Sequence, residues 1–422
     1  MSQVQPTPRM GPRPLSLHMA MEGWILQMSF AGLMPSNGAL PPLSPALNRS
    51  DLVQQVAAEA LQKNPDQIGA AWDQYLDPVA FLNSITRQSK ERMETFVAGV
   101  KAYQAHAYRR ELEAPAPVWQ NGSARLIDYA PNGGGRPVLL VPSLINRAYI
   151  LDLAEDRSLM RAAAAAGLHP FLLDWGAPNE AEKRFAVEDY VEGILIPALE
   201  EVRDTCGRAP ALVGYCMGGT LCVAPAVLRP ELVDRLVLLV APWDFHAESE
   251  ASRMLIGLSR PALEVMLEAE GAASVDLLQA LFASLDPTLV GRKFRNFANL
   301  DPMSEQARRF VELEDWLNDG VPLAGPVARE VIFNWYGDNA PAGKKWMIGQ
   351  NVIDPARISC PTIAFIPGQD RIVPPDSARK LAAEIPNAEV FDINLGHIGM
   401  ISGGSAPKRV YEPLIQWLKP DE

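Results

Sequence analysis

The sequence predicts an α/β fold: a mostly parallel, doubly wound sheet with a helical cap insertion and a helical N-terminal region. Two observations carry that prediction. From about residue 116 short apolar runs alternate with amphipathic helical ones, the pattern of strands joined by crossover helices. One such run ends in Gly214-Tyr215-Cys216-Met217-Gly218-Gly219, where a strand must turn at once into a helix.

In chain order, residues 1–48 are punctuated by Pro and Gly and are expected to be irregular. Their Met19–Met34 stretch is apolar but interrupted by Glu22, too short and mixed to span a bilayer. Packing on the protein accounts for it most simply; contact with a lipid or polymer surface is the sharper alternative. Residues 49–115 read as helical. DLVQQVAAEALQK follows the capping sequence Asn48-Arg49-Ser50, and QSKERMETFVAGVKAYQAHAYRREL is a second amphipathic run that Pro115 and Pro117 end.

The α/β core is expected over 116–245 and 354–422. PVLLVPSL (137–144), HPFLLDW (169–175), PALVGYC (210–216), RLVLLVAPW (235–243), PTIAFIPG (361–368) and AEVFDIN (388–394) read as buried strands. Residues 185–204 read as a helix kinked near Pro197, and VYEPLIQWL (410–418) as the last helix. Between the two core blocks, 246–353 is helical in pattern and shows no clear strand. An insertion after a sheet strand sits above the carboxyl edge of such a sheet, so this block reads as a cap.

Composition narrows the function. Of 422 residues, 48% are hydrophobic and 21% charged, ordinary for a globular protein. A formal net charge of −12 argues against a nucleic-acid surface. The four cysteines show neither CxxC nor metal-ligand spacing, so no metal and no disulfide framework are expected, and a reducing, cytoplasmic compartment is the default.

The chemistry concentrates at Cys216. A strand–Gly-x-Cys-x-Gly–helix turn is the nucleophile elbow of the α/β-hydrolase fold, with cysteine where serine is commoner. The turn lifts the thiol onto a helix N-terminus, whose partial positive charge favours the thiolate. An acid, Asp370 in Gly368-Gln369-Asp370, follows the next core strand, and Gly396-His397 follows the last. Cys…Asp…His, each past a strand end, is the order this fold uses. Of the five histidines, only His397 stands after the acid-bearing unit; His18, His106, His169 and His246 do not. His397 is therefore expected to be the base and Asp370 its orienting acid. Met217 N–H, beside the nucleophile, is one expected oxyanion donor, and the loop Pro142-Ser143-Leu144-Ile145-Asn146 supplies the other. Cys206, Cys222 and Cys360 read as packing residues. Trp175, Trp243, Trp335 and Trp346 are candidates to line a pocket or simply core.

These residues and their surroundings resemble polyhydroxyalkanoate synthases. The likeness rests on Gly-Tyr-Cys216-Met-Gly-Gly-Thr, on Ile145-Asn146-Arg147-Ala148-Tyr149-Ile150-Leu151-Asp152-Leu153, on Asp174-Trp175, on Val352-Ile353-Asp354-Pro355, and on the Asp370 and His397 units. The resemblance implies Ile145 N–H as the second oxyanion donor. It implies a 3-hydroxyacyl-CoA thioester as substrate, an acyl group carried on cysteine, a polyester product and no cofactor. A homodimer with a mobile cap and association with polymer granules follow from the same likeness. Arg371-Ile372-Val373-Pro374-Pro375 and Ile401-Ser402-Gly403-Gly404 depart from the family pattern. Two other functions fit the residues: a cysteine hydrolase of acyl-CoA, lactone or oligoester, and a silent granule-binding relative. Dienelactone hydrolases share Gly-Tyr-Cys-x-Gly-Gly but are small and uncapped, with the acid soon after the cysteine. Here a whole helical block separates Cys216 from Asp370.

Overall fold

The computed structural model describes residues 9–31, 78–247 and 250–419. The chain divides into two compact units, Met1–Tyr108 with Asp286–Val311, and Arg109–Leu285 with Glu312–Glu422.

The larger unit holds an eight-stranded sheet. Its strands are β1 (Pro117–Asn121), β2 (Ala124–Asp128), β3 (Pro137–Val141), β4 (His169–Asp174), β5 (Ala211–Tyr215), β6 (Arg235–Leu239), β7 (Thr362–Pro367) and β8 (Glu389–Ile393). They lie in the order β1-β2-β4-β3-β5-β6-β7-β8. The pairs from β4 onward are parallel, while β1–β2 and β2–β4 are antiparallel. All six strands expected from the sequence are present, each trimmed at its ends. The antiparallel pair β1–β2 was not anticipated, because β1 is largely exposed and carries no apolar run.

The strands obey the period of two that a sheet covered on both faces requires. Leu139, Val141, Phe171, Leu173, Leu212, Leu236, Leu238, Ala364 and Ile366 enter one core. Their neighbours Val138, Leu140, Leu172, Val213, Val237, Leu239, Ile363 and Phe365 enter the other. On the first face the helices Ile196–Cys206 and Met217–Leu228 supply Ala198, Leu199, Val202, Leu221 and Val223. On the second, Leu159, Met160, Leu414 and Leu418 close the layer. The helix expected over 185–204 runs from Val187 to Cys206, with a wide π turn at Val191–Leu195 immediately before Pro197. A proline has no N–H to continue the regular ladder, which accounts for the irregularity there.

Within the larger unit the segment after Asp319 approaches the loop that follows β3: Asn146 and Gly320 form an isolated antiparallel bridge. Two short strand pairs also interrupt the helical insertion, Ala272–Ala273 with Leu323–Ala324 and Met347–Ile348 with Asn351–Val352. The insertion expected as one cap over 246–353 is split, since Asp286–Val311 belongs to the smaller unit. Phe294 and Phe297 go with that segment. They pack with Phe96, Val100, Tyr103, Ala307 and Val311 in that unit's own core.

The smaller unit also corrects the reading of residues 1–48 as irregular, for Leu15–Ala31 is a helix. The expected helix DLVQQVAAEALQK lies outside the described residues. The second amphipathic run begins earlier than its pattern suggested and stops well short of Pro115, forming Pro78–Ala105. Gly99 lets the helix Leu289–Ala298 come close, since a Cβ there would stand 2.0 Å from Phe294 O. Glu22, which interrupts the apolar Met19–Met34 run, is buried and pairs with Arg295 at 2.6 Å. A buried carboxylate facing a guanidinium is what packing on protein demands, so the interruption has a structural reason.

Breaking that pair strands a largely buried guanidinium. Glu22→Ala is expected to lower stability by about 3 kcal/mol, seen as a lower melting temperature by calorimetry. An unchanged melting temperature would show that Arg295 finds water or another partner.

Candidate active site

Cys216 follows β5 directly and caps the helix Met217–Leu228. Its backbone stands at φ 54° and ψ −129°, a left-handed conformation that side chains avoid. Two close approaches hold it there. A Cβ on Gly214 would lie 2.4 Å from Gly219 Cα, and one on Gly218 would lie 2.2 Å from Val141 O and 2.4 Å from Pro142 O. The second contact seats the start of the helix against the end of β3. The sulfur thus meets the first turn of a helix whose leading N–H groups have no partner along the helix. Met217 N–H is the first of these.

The carboxyl ends of β7 and β8 bring the other two residues. Asp370 and His397 are both 8% exposed. Asp370 Oδ1 accepts the N–H groups of Ile372 at 2.7 Å and Val373 at 2.9 Å. That leaves Oδ2 to accept His397 Nδ1–H at 2.7 Å. Cys216 also acts on the ring, through its charge and a side-chain hydrogen bond that both favour the imidazolium. Cys216, Asp370 and His397 are therefore brought together as the sequence order implied. Desolvation is the largest influence on His397 and pulls its pKa down. The Cys216 charge and hydrogen bonds to Asp370 and Cys216 outweigh it and push it up to about 10.

The other cysteines and histidines have different surroundings. Burial pushes the thiols of Cys206, Cys222 and Cys360 up, which suppresses the reactive thiolate. His169 Nε2 contacts both Asp128 oxygens at 3.0 Å, and its Nδ1 lies 3.7 Å from Cys206 Sγ. His246 Nε2 is 3.0 Å from Gly337 O. His18 and His106 lie in the smaller unit.

Ile145, expected as a donor, lies in the loop after β3, next to β5 in the sheet. Its N–H faces Ser143 Oγ at a long 3.3 Å. A contact of that length is weak enough for a developing oxyanion to displace.

Two supporting roles escaped sequence reasoning. Tyr215, fully inside the elbow motif, donates its hydroxyl to His397 O at 3.3 Å, and its ring lies against the imidazole, 5.5 Å between centroids. Trp175 Nε1–H donates to Pro142 O at 3.0 Å and so fixes the start of the Ile145 loop. Their positions in Gly-Tyr-Cys and Asp-Trp were the signal available. The four tryptophans considered for a pocket are core: Trp175, Trp243, Trp335 and Trp346 are each at most 4% exposed.

Within the two segments that depart from the family pattern, Pro375 and Ser402 have local structural roles. Pro375 opens the helix Pro375–Glu384, where a proline is favoured. Ser402 Oγ–H donates to Ile398 O within its own short helix.

Because the Cys216 charge is the largest force raising His397, Cys216→Ala should let the imidazole titrate well below its wild-type value. Histidine NMR titration of the two proteins measures this. An unchanged titration would assign the shift to Asp370 alone.

The sequence model of the alpha/beta hydrolase fold family matches residues 136–404. Among curated proteins, the poly(3-hydroxyalkanoate) polymerase subunit of Allochromatium vinosum is 29% identical over 68% of this chain and 82% of its own. That of Thiocystis violacea is 29% identical over 67% of this chain and 80% of its own. Among solved structures, a monoacylglycerol lipase of Paleococcus ferrophilus aligns with 70% of this chain and 98% of its own, at 17% identity and a TM-score of 0.46. With its sheet, its elbow and the family-model match, the chain belongs to the α/β-hydrolase fold family, and it is similar in sequence to poly(3-hydroxyalkanoate) polymerase subunits.

Proposed function

We propose that the protein polymerises 3-hydroxyacyl groups from CoA thioesters into polyhydroxyalkanoate, carrying each group on Cys216. The observation that carries this reading is a cysteine elbow that acts on a buried, hydrogen-bonded His–Asp pair, in a chain similar to curated polyhydroxyalkanoate polymerase subunits.

The cycle follows from the groups present. His397 takes the Cys216 proton, and the thiolate attacks the thioester carbonyl. Negative charge forms on the carbonyl oxygen, for which Met217 N–H and Ile145 N–H are the proposed donors. As the tetrahedral adduct collapses, the C–S bond to CoA breaks and the imidazolium gives its proton to the leaving thiolate. One thioester has replaced another, so the acyl group stays activated at little free-energy cost. His397 then accepts the proton of an incoming hydroxyl, whose oxygen attacks the acyl-cysteine and forms the ester. Cys216 leaves as thiolate beside the imidazolium. Asp370 holds the ring in one tautomer and offsets its charge throughout. The cycle balances without a metal or cofactor.

Among the described residues no helix is long and apolar enough to cross a membrane. Homodimerisation and attachment to a polymer granule in the cytoplasm belong to this proposal. Size-exclusion light scattering and granule co-sedimentation measure them.

With 3-hydroxybutyryl-CoA, CoA release is expected to exceed free 3-hydroxybutyrate, the difference being recovered as oligomer or polymer. Cys216→Ala is expected to lose at least about a thousandfold in CoA release, whereas Cys360→Ala keeps most of it. Free acid equal to CoA, with no oligomer by chromatography, would make the enzyme a hydrolase. Acyl label on a cysteine other than 216 would remove the nucleophile assignment.

A further inference from the structure

The loop after β3 is not held by the sheet alone. Its first carbonyl, Pro142 O, accepts from the Trp175 indole, but its far half is gripped by residues of the insertion. Trp316 Nε1–H donates to Arg147 O at 2.8 Å. Val321 N–H approaches Ile145 O at 3.4 Å, and Asn146 bridges Gly320 in an antiparallel pair. The gripping segment is itself anchored from behind, where Gln279 Nε2–H donates to Leu317 O at 2.8 Å. Gly320 fits because it lacks a side chain: a Cβ there would stand 2.9 Å from Val275 Cγ1.

We infer that Trp316–Val321 is a clamp that aims the Ile145 N–H at the reacting carbonyl, with Trp316 as its principal positioning residue. The inference rests on the proposed donor role of Ile145 and adds the group that orients it. The direction of Ile145 N–H depends on its own peptide plane, shared with Leu144, and that plane is free to swing unless both flanks are fixed. Trp175 fixes one flank through Pro142 O. The Asn146 bridge and the Trp316 bond to Arg147 O fix the other. Two weaker ties surround the same turn: Arg147 Nε lies 3.6 Å from Asp319 Oδ1, and the Tyr149 hydroxyl donates to Asp319 Oδ2 at 3.2 Å. The Asp319 side chain is 52% exposed, so water screens its pairing. Trp316 is 4% exposed, and its bond to Arg147 O is not screened. Burial therefore ranks the indole above the carboxylate. The clamp also ties the oxyanion loop to the insertion, so displacement of Trp316–Val321 would disarm the donor without moving Cys216, Asp370 or His397.

Two reactions of the same sulfur separate positioning from folding. Alkylation of Cys216 by iodoacetamide is a displacement at a saturated carbon and uses no oxyanion donor. Acylation by a thioester develops an oxyanion and does. Trp316→Phe keeps a buried ring and removes the N–H. It is expected to slow single-turnover acylation by 3-hydroxybutyryl-CoA by about tenfold, within the range for losing part of one donor, while alkylation keeps its wild-type rate and pH profile. Asp319→Asn is expected to change acylation less than about twofold. Gly320→Ala tests the clamp without touching the buried indole, and it too is expected to lower acylation and spare alkylation. Wild-type acylation rates in both Trp316→Phe and Gly320→Ala, or a parallel fall of acylation and alkylation, would overturn the inference. A wild-type protein that alkylates at Cys216 but never acylates there would remove the proposed function as well, which distinguishes the two failures.

Discussion

The backbone of Cys216, at φ 54° and ψ −129°, costs about 1–3 kcal/mol against a relaxed residue, and the site is organised around sustaining it. Its N–H donates to Leu239 O at 2.9 Å, and its carbonyl accepts Gly219 N–H at 2.8 Å. The turn is thereby stitched to β6 on one side and to its own helix on the other. A strand that continued normally would turn the sulfur onto one face of the sheet, among buried neighbours. The strained turn instead lifts it off the edge, onto the electropositive end of a helix and within reach of His397. Gly218 makes the same turn press on Val141 and Pro142, so the elbow and the oxyanion loop share one contact. Strain in the nucleophile and placement of its electrophilic partner are consequences of a single close approach.

That approach works only because the sheet beneath it is rigid. Register places Val141 beside Gly214, Tyr215 beside Leu239, and Pro367 beside Ile393. The strand ends that carry the donor loop, Cys216, Asp370 and His397 therefore share one edge. Between β3 and β5 the connections diverge, β3 leading outward to β4 while β5 lies on the other side. A crevice at such a reversal is where open α/β sheets place their ligands. Residues far apart in sequence need no long-range contact of their own, because alternate burial on two faces fixes each strand before its loop is reached.

How much of this the sequence disclosed depends on whether the signal was local. Val138–Val141 or Leu236–Leu239 announce buried strands because every residue must be apolar. Cys216, Asp370 and His397 announce themselves because each follows such a run beside a glycine. β1 gave no sign, being an exposed edge with polar residues. The helix Leu15–Ala31 was hidden by the prolines before it and by Glu22, whose charge made sense only once Arg295 was seen beside it. The cap reading failed at Phe294 and Phe297 for the same reason. Helical periodicity tells which face is buried but not against what, and these aromatics face another helix of the smaller unit. Trp316 could not be tied to Ile145 at all, because a side-chain bond to a distant carbonyl leaves no periodic trace.

The electrostatics of the triad suit a group that must give a proton and then take one. Of the forces raising the His397 pKa to about 10, the Cys216 charge is the largest. Acylation consumes that charge, because a thioester sulfur carries none, and it also removes the sulfur's hydrogen bond to the ring. Desolvation, which favours the neutral imidazole, is then opposed by Asp370 alone. The ring is left readier to lose its proton to the departing CoA thiolate and to remain neutral. It becomes a base when the chain hydroxyl arrives, and the thiolate expelled in the second step restores the cation. In the proposed cycle the acyl group itself thus sets the protonation state of the catalyst, chiefly through one buried Coulomb interaction.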